Sequence, residues 1–279
     1  MKRPPFRLDR RTAPPRAVRR VALAHLDYAL AGLERGDARA VHEARKTCKR
    51  LRALLRLLRP ALGAAAYRLE NRALRDAGRA LAQNRDATVR VQTARALAAK
   101  NPALNPLTRQ LHARPRPITG AALRDARRRL RAERERVALW ILEDLSAGAL
   151  LAGLLAGYGR ARRAHRHARR RGSAAALHEW RKQVKYHGYQ GELLAPLWLE
   201  LGRRGKRIER LGEQLGWHHD LDVLAQSLER EDITTGEPLR RRAQGAIGKA
   251  QARATATALA LGQTLFEEKP LVWLSAHTT

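Results

Sequence analysis

Val41 to Leu58 reads VHEARKTCKRLRALLRLL, and Leu177 to Leu194 reads LHEWRKQVKYHGYQGELL. Laid over one another at an offset of 136 residues (42 to 178), they pair His42 with His178, Glu43 with Glu179, Arg45 with Arg181, Lys46 with Lys182 and Lys49 with Lys185. A helix turns about 100° per residue. On that wheel His42, Arg45, Lys46, Lys49, Arg52 and Arg56 share one arc, and Leu51, Leu54, Leu55 and Leu58 share the opposite one. Each copy is therefore an amphipathic helix with a cationic face. His178, Arg181, Lys182 and Lys185 fill the same arc in the second copy, where Gly188 and Glu192 replace Arg52 and Arg56. A repeat this long predicts a duplicated architecture.

The similarity continues downstream. LAQNRDATV (81–89) matches LGWHHDLDV (215–223) at an offset of 134 residues, pairing Leu81 with Leu215, Asp86 with Asp220 and Val89 with Val223. At the same offset Arg72 matches Lys206.

Composition agrees with a surface built for anions. The 279 residues carry 57 Lys and Arg against 26 Asp and Glu, a formal net charge of +31. Self-repulsion of that size disfavours a compact chain unless a polyanion or counterions neutralise it. A codon bias toward Arg, Ala and Leu exchanges Lys for Arg but does not by itself remove acids. The apolar residues are chiefly Leu and Ala, with two Phe, which favours packed helices over sheet. The fold class expected is all-α. Cys48 is the one cysteine, so no internal disulfide forms and a reducing compartment fits. The N-terminus has the charge of a signal peptide but no apolar run behind it. The apolar stretch Leu145 to Tyr158 is too short to span a bilayer and reads as a buried helix. A cytoplasmic protein without a membrane span is expected.

Helical signals divide the chain. Residues 1–15, rich in Pro and Arg, read as a flexible basic segment. The first half runs from about 16 to 100. Gly36 ends its first helix, Asp37 caps the basic helix, Pro60 with Gly63 ends that one, and Asp86 can cap another. The Pro-rich stretch 101–120 reads as a linker. The second half runs from about 121 to 266, with Ser173 capping its basic helix, Pro196 closing it, one helix over 199–217 and another capped by Asp220. Residues 267–279 read as a tail. Each half holds about four helices.

Catalytic signatures are missing. There is no GxxxxGK loop, GxSxG elbow or CxxC pair, and ERERV (133–137) lacks the lysine of an ExExK motif. His218, His219 and Asp220 resemble the His-Asp pair of metal-dependent phosphohydrolases, but their first-half counterparts are Asn84, Arg85 and Asp86, so only the Asp is common. No metal, cofactor or catalytic residue is expected, and the chain reads as a binding protein. His42 and His178 read as phosphate partners, with a structural buried role as the alternative. The runs RRRLR (127–131) and ARRR (168–171) either extend the surface or are merely exposed.

HEARKxxKRLR at His42, HEWRKxxKY at His178 and the RD and HD motifs before Val89 and Val223 resemble the CHAD family, the conserved histidine α-helical domain. The resemblance runs from about Arg16 to Phe266. It implies two similar helical bundles around a basic groove or pore that binds inorganic polyphosphate, in a family whose members occur alone or fused to triphosphate-hydrolysing domains, with this chain a stand-alone member. Carried over, it implies His42, Arg45, Lys46, Lys49, Arg52, Arg56 and Arg72 as ligand contacts, with His178, Arg181, Lys182, Lys185 and Lys206 as their counterparts. Gly188, Glu192 and Tyr186, which stands where Arg50 does, depart from equal halves. The expected role is non-catalytic polyphosphate binding and association with polyphosphate granules. The alternatives are non-specific nucleic-acid binding and, behind it, metal-dependent phosphohydrolysis.

Overall fold

The computed structural model describes residues 2–82, 85–111, 119–230 and 235–275, with the side chains of 85, 86, 274 and 275 excepted. All regular structure among them is helical: α1 (Pro14–Arg35), α2 (Ala38–Ala80), α3 (Arg85–Ala98), a 3-10 turn (Pro102–Leu104), α4 (Asn105–Gln110), α5 (Gly120–Ala138), α6 (Ala147–Arg171), α7 (Ala174–Leu194), α8 (Leu199–Glu229), α9 (Glu237–Phe266) and α10 (Pro270–Ser275).

Local chemistry sets the helix ends. Gly36 closes α1 in the left-handed region at φ 69°, where a residue without a Cβ carries no penalty. The Asp37 carboxylate then accepts from the Ala40 N–H at 2.7 Å and starts α2. Ser173 does the same for α7 through Ala176 N–H at 3.3 Å. Both caps satisfy a donor that the first helical turn leaves unpaired. Within α2 the helical path breaks at Gly63, φ 74°, three residues after Pro60, so the basic segment ends where its sequence indicates.

Leu51, Leu54, Leu55, Leu57 and Leu58 of α2 are buried, and each fully buried leucine contributes about 2 kcal/mol of apolar transfer. They join a large core with α1, α5, α6, α7 and parts of α8 and α9. A smaller core gathers Leu97 of α3, Leu104, Leu107 of α4, Leu221, Leu224 and Leu228 of α8 and Ile247 of α9. The stretch read as a linker thus contributes buried leucines; its residues 112–118 lie outside the described ones.

Four expectations need correction. The N-terminal segment is not loose: Phe6 and Leu8 are buried, the Leu8 N–H donates to Leu193 O at 2.9 Å, and Phe6 meets His25 and Tyr189 edge-on. Of the residues read as a tail, 270–275 form α10, whose Trp273 stacks on Tyr158 with ring centres 4.5 Å apart; residues 276–279 lie outside the described ones. The helix read as ending at Trp217 continues unbroken to Glu229, so Asp220 is an interior residue of α8 and caps nothing. The apolar period Leu211, Leu215, Leu221, Leu224 spans both cores and carries the helix through. Finally, α5, assigned to the second half, packs on α1 and α2. The apolar stretch Leu145 to Tyr158 does form a buried helix face, with Leu150, Leu154 and Tyr158 inaccessible.

Candidate anion-binding site

Helices α2 and α7, which carry the two motif copies, pack directly on one another. Gln190 of α7 donates to Ala53 O of α2 at 3.2 Å. Arg50 of α2, almost fully buried, pairs with Glu192 of α7 and lies over the rings of Phe6 and Tyr189. Glu192, which in sequence only weakened the second cationic arc, neutralises this buried guanidinium.

Several cations gather along that junction. Arg52 donates from Nε to Asn71 Oδ1 at 3.0 Å. Arg56 donates to the same oxygen at 3.4 Å and to Arg52 O at 2.9 Å. Both guanidinium groups lie over the Tyr186 ring of α7, that of Arg56 3.7 Å from its centre. Tyr186 and Asn71, absent from the sequence-derived set, are thus the partners that orient two of its arginines. A cation over an aromatic face is attracted by about 1 kcal/mol. Arg45 donates to Leu81 O at 3.3 Å.

The field of Lys46 reaches Lys185 across the junction, as the smallest of the influences on it. Burial holds the Lys185 ammonium below its usual range, and the fields of Arg181 and Lys46 act in the same direction against Glu209 and Glu213. Burial likewise lowers Lys46, with Arg50 and Arg3 adding to the effect. Arg3 reaches this place because it pairs with Glu43 at 3.5 Å. On the other side, Lys185 and Arg181 lie over Gly212 and Gly216 of α8, where an added Cβ would stand 3.3 and 3.6 Å from the respective side chains. Gly188 has a packing reason of its own, since a Cβ there would meet Ile208 Cγ2 at 3.0 Å.

His42 is exposed, and partial desolvation with the fields of Lys46, Lys49 and Arg45 keeps it below the usual imidazole range against the pull of Glu43. His178 is half-buried, with its Nδ1 3.3 Å from that of His219. Burial and the charges of Arg181 and Lys182 lower its proton affinity too. The second His of the HHD motif thereby joins the motif helix, a contact no spacing argument reveals. No group of three or more metal-ligating side chains occurs among the described residues. Lys49 and Lys182 are exposed, and Lys182 pairs with Glu179. Arg72 on α2 and Lys206 on α8 are also exposed, and no described hydrogen bond or ion pair joins either to the clusters above. The Asp86 side chain lies outside the described residues.

Fold and clusters together define a class: an all-α scaffold that brings like-charged side chains of two separate helices to one junction. The family model of the CHAD domain matches residues 17–229, and the chain belongs to that family. A crystal structure of the CHAD domain from the plant Ricinus communis is similar in fold, with TM-score 0.62 and 20% sequence identity over 99% of this chain and 95% of that one. No curated protein sequence matches the chain. No helix among the described residues is long and apolar enough to cross a membrane.

Proposed function

We propose that this chain binds inorganic polyphosphate without processing it, the α2 and α7 arrays forming the walls of one basic groove between two related halves. The observation that carries the reading is the packing of α2 on α7, which sets the Arg52 and Arg56 guanidinium groups over Tyr186 instead of leaving two cationic faces apart in water. Like charges held together raise the free energy of the empty protein, and a chain of phosphates relieves it. Each phosphate contact releases counterions, and arginine adds paired hydrogen bonds to two oxygens. Longer chains engage more residues at once, so affinity grows with length. Such binding in the cytoplasm would bring the protein to polyphosphate granules.

The test is titration with long-chain polyphosphate and with orthophosphate at equal phosphate concentration, with duplex DNA as competitor. The polymer binds far more tightly, and the double variant Lys46→Glu, Lys49→Glu loses most of that affinity. Equal binding of polymer and orthophosphate overturns the proposal. Displacement by DNA at equal phosphate favours the nucleic-acid reading, and sustained phosphate release with a divalent metal favours an enzyme.

A further inference from the structure

Where α6 crosses α2, a Cβ on Gly153 would stand 2.6 Å from Leu57 O, and one on Gly157 would stand 2.2 Å from Gln190 Oε1. The two glycines let α6 approach both motif helices closely. One turn beyond Gly157, α6 presents Arg160, and beyond that Arg163. Arg160 is half-buried, and its Nη2 is shielded from solvent with no hydrogen-bond partner among the described residues. Its surroundings are cationic. Burial depresses its proton affinity, and Arg56, Arg163 and Arg59 depress it further, with Tyr67 the one opposing influence. Arg56 is held over Tyr186 and Arg59 lies 5.2 Å from the Tyr67 ring centre. Among the described residues none of these four arginines is ion-paired with a carboxylate, although Arg side chains elsewhere on the surface are repeatedly paired, as in Arg127 with Glu34 or Arg129 with Asp125.

A half-buried guanidinium with an unmet donor among three others is unfavourable in the empty protein. A bound anion would relieve it. We propose that Arg160 and Arg163 of α6, together with Arg56 and Arg59 of α2, form an additional phosphate-binding subsite that continues the α2 array onto α6. It rests on the polyphosphate reading and deepens it. Gly188 and Glu192 stand in α7 where α2 has Arg52 and Arg56, so the second copy carries fewer cations than the first. The subsite adds guanidinium groups from a third helix to those held beside Tyr186. Its ligand is a phosphate group of the chain, held by paired N–H donors in the way arginine holds oxyanions.

Arg160→Gln keeps much of the side-chain stem and removes the charge. The affinity for long-chain polyphosphate should fall about fivefold to tenfold and the slope of log affinity against log salt should lessen by about one. The thermal midpoint of the ligand-free protein should hold or rise, because a repelling charge has left. Arg131→Ala, which removes an equal charge that pairs with Glu34, should leave affinity within about twofold. If Arg160→Gln lowers the midpoint, the exposed Arg163→Ala carries the same comparison. Polyphosphate binding by the parent protein that neither variant weakens overturns the subsite and leaves the broader reading standing. A parent protein that does not bind polyphosphate overturns both.

Discussion

Gln190 of α7 and Ala53 of α2 are joined by a buried hydrogen bond, 3.2 Å from Nε2 to the carbonyl oxygen, at the level where the two motif helices meet. This contact lies beside the place where Arg52 and Arg56 of one copy rest on Tyr186 of the other. Gln190→Ala removes the bond and leaves a void, and should lower unfolding free energy by about 1–3 kcal/mol. Denaturant unfolding checks this. An unchanged midpoint would mean that the helices do not meet in this register.

Glycines separate close approach from plain helix. At Gly153 a Cβ would meet Leu57 O at 2.6 Å and Leu57 Cα at 2.9 Å, atoms of a rigid helix backbone. Gly153→Ala should therefore destabilise by about 1–3 kcal/mol. At the exposed Gly245 of α9 nothing lies within 4 Å, and Gly245→Ala should stabilise by about 0.5–1 kcal/mol through helix propensity. Opposite shifts in melting temperature are expected, and equal shifts would contradict the α6–α2 contact.

The candidate site predicts unequal contributions from its cations. Arg52 and Arg56 are oriented by Asn71 and Tyr186, whereas Lys206 is exposed on α8. Oriented arginines lose less side-chain freedom on binding. Replacing Arg52 and Arg56 together by Ala should weaken polyphosphate binding about tenfold or more, since hydrogen bonds to charged groups contribute about 1.5–3 kcal/mol each. Lys206→Ala should change it about twofold or less. Calorimetric titration of both variants decides, and equal losses would refute the orientation argument.

Three interior histidines make the fold sensitive to acid. Burial lowers His25 and His165 to about 4 and His187 to about 3, with Arg50, Arg169 and Arg204 respectively the next influence. The unfolded chain binds protons near pH 6.5 and the folded one does not, so stability falls as pH drops from 6.5 toward 4. Melting temperature should decline through that window. His187→Leu should flatten the decline, and a profile level between pH 7 and 4.5 would be inconsistent with neutral interior imidazoles.

A buried acid works in the other direction. Glu133 of α5 is 1% exposed and shares Arg136 with Glu70. Burial, then the hydrogen bond and charge of Glu70, hold its carboxyl above the usual range. The folded protein keeps a proton that the unfolded chain releases above about 4.5, so this contribution is complete below that pH and is lost as pH rises. Glu133→Gln, which imitates the protonated acid, should be more stable than the parent at pH 8 by about 1 kcal/mol or more. A less stable variant at pH 8 would show that the carboxylate is needed in ionised form.

Much of the site was readable from residues, and its partners were not. The cationic arcs of His42 to Arg56 and His178 to Lys185 follow from spacing on one helix. Tyr186 appeared only as a departure from Arg50, yet it is the surface on which Arg56 rests. The HHD motif suggested a metal weakly, and its His219 instead meets His178. Arg3, ahead of the matched family region, reaches Glu43 because Phe6 is buried beside His25.

The all-helical class, the repeated motif, the caps at Asp37 and Ser173 and the breaks at Gly36 and Gly63 were determined by the chain alone, because each depends on backbone preferences and side chains within a turn or two. Tertiary packing decided that α2 lies on α7, that α8 runs through Asp220, that Phe6 and Trp273 are buried, and that Arg50 is sealed by Glu192 while Arg56 stays at the junction. Those outcomes depend on which apolar surfaces, far apart along the chain, exclude water from one another.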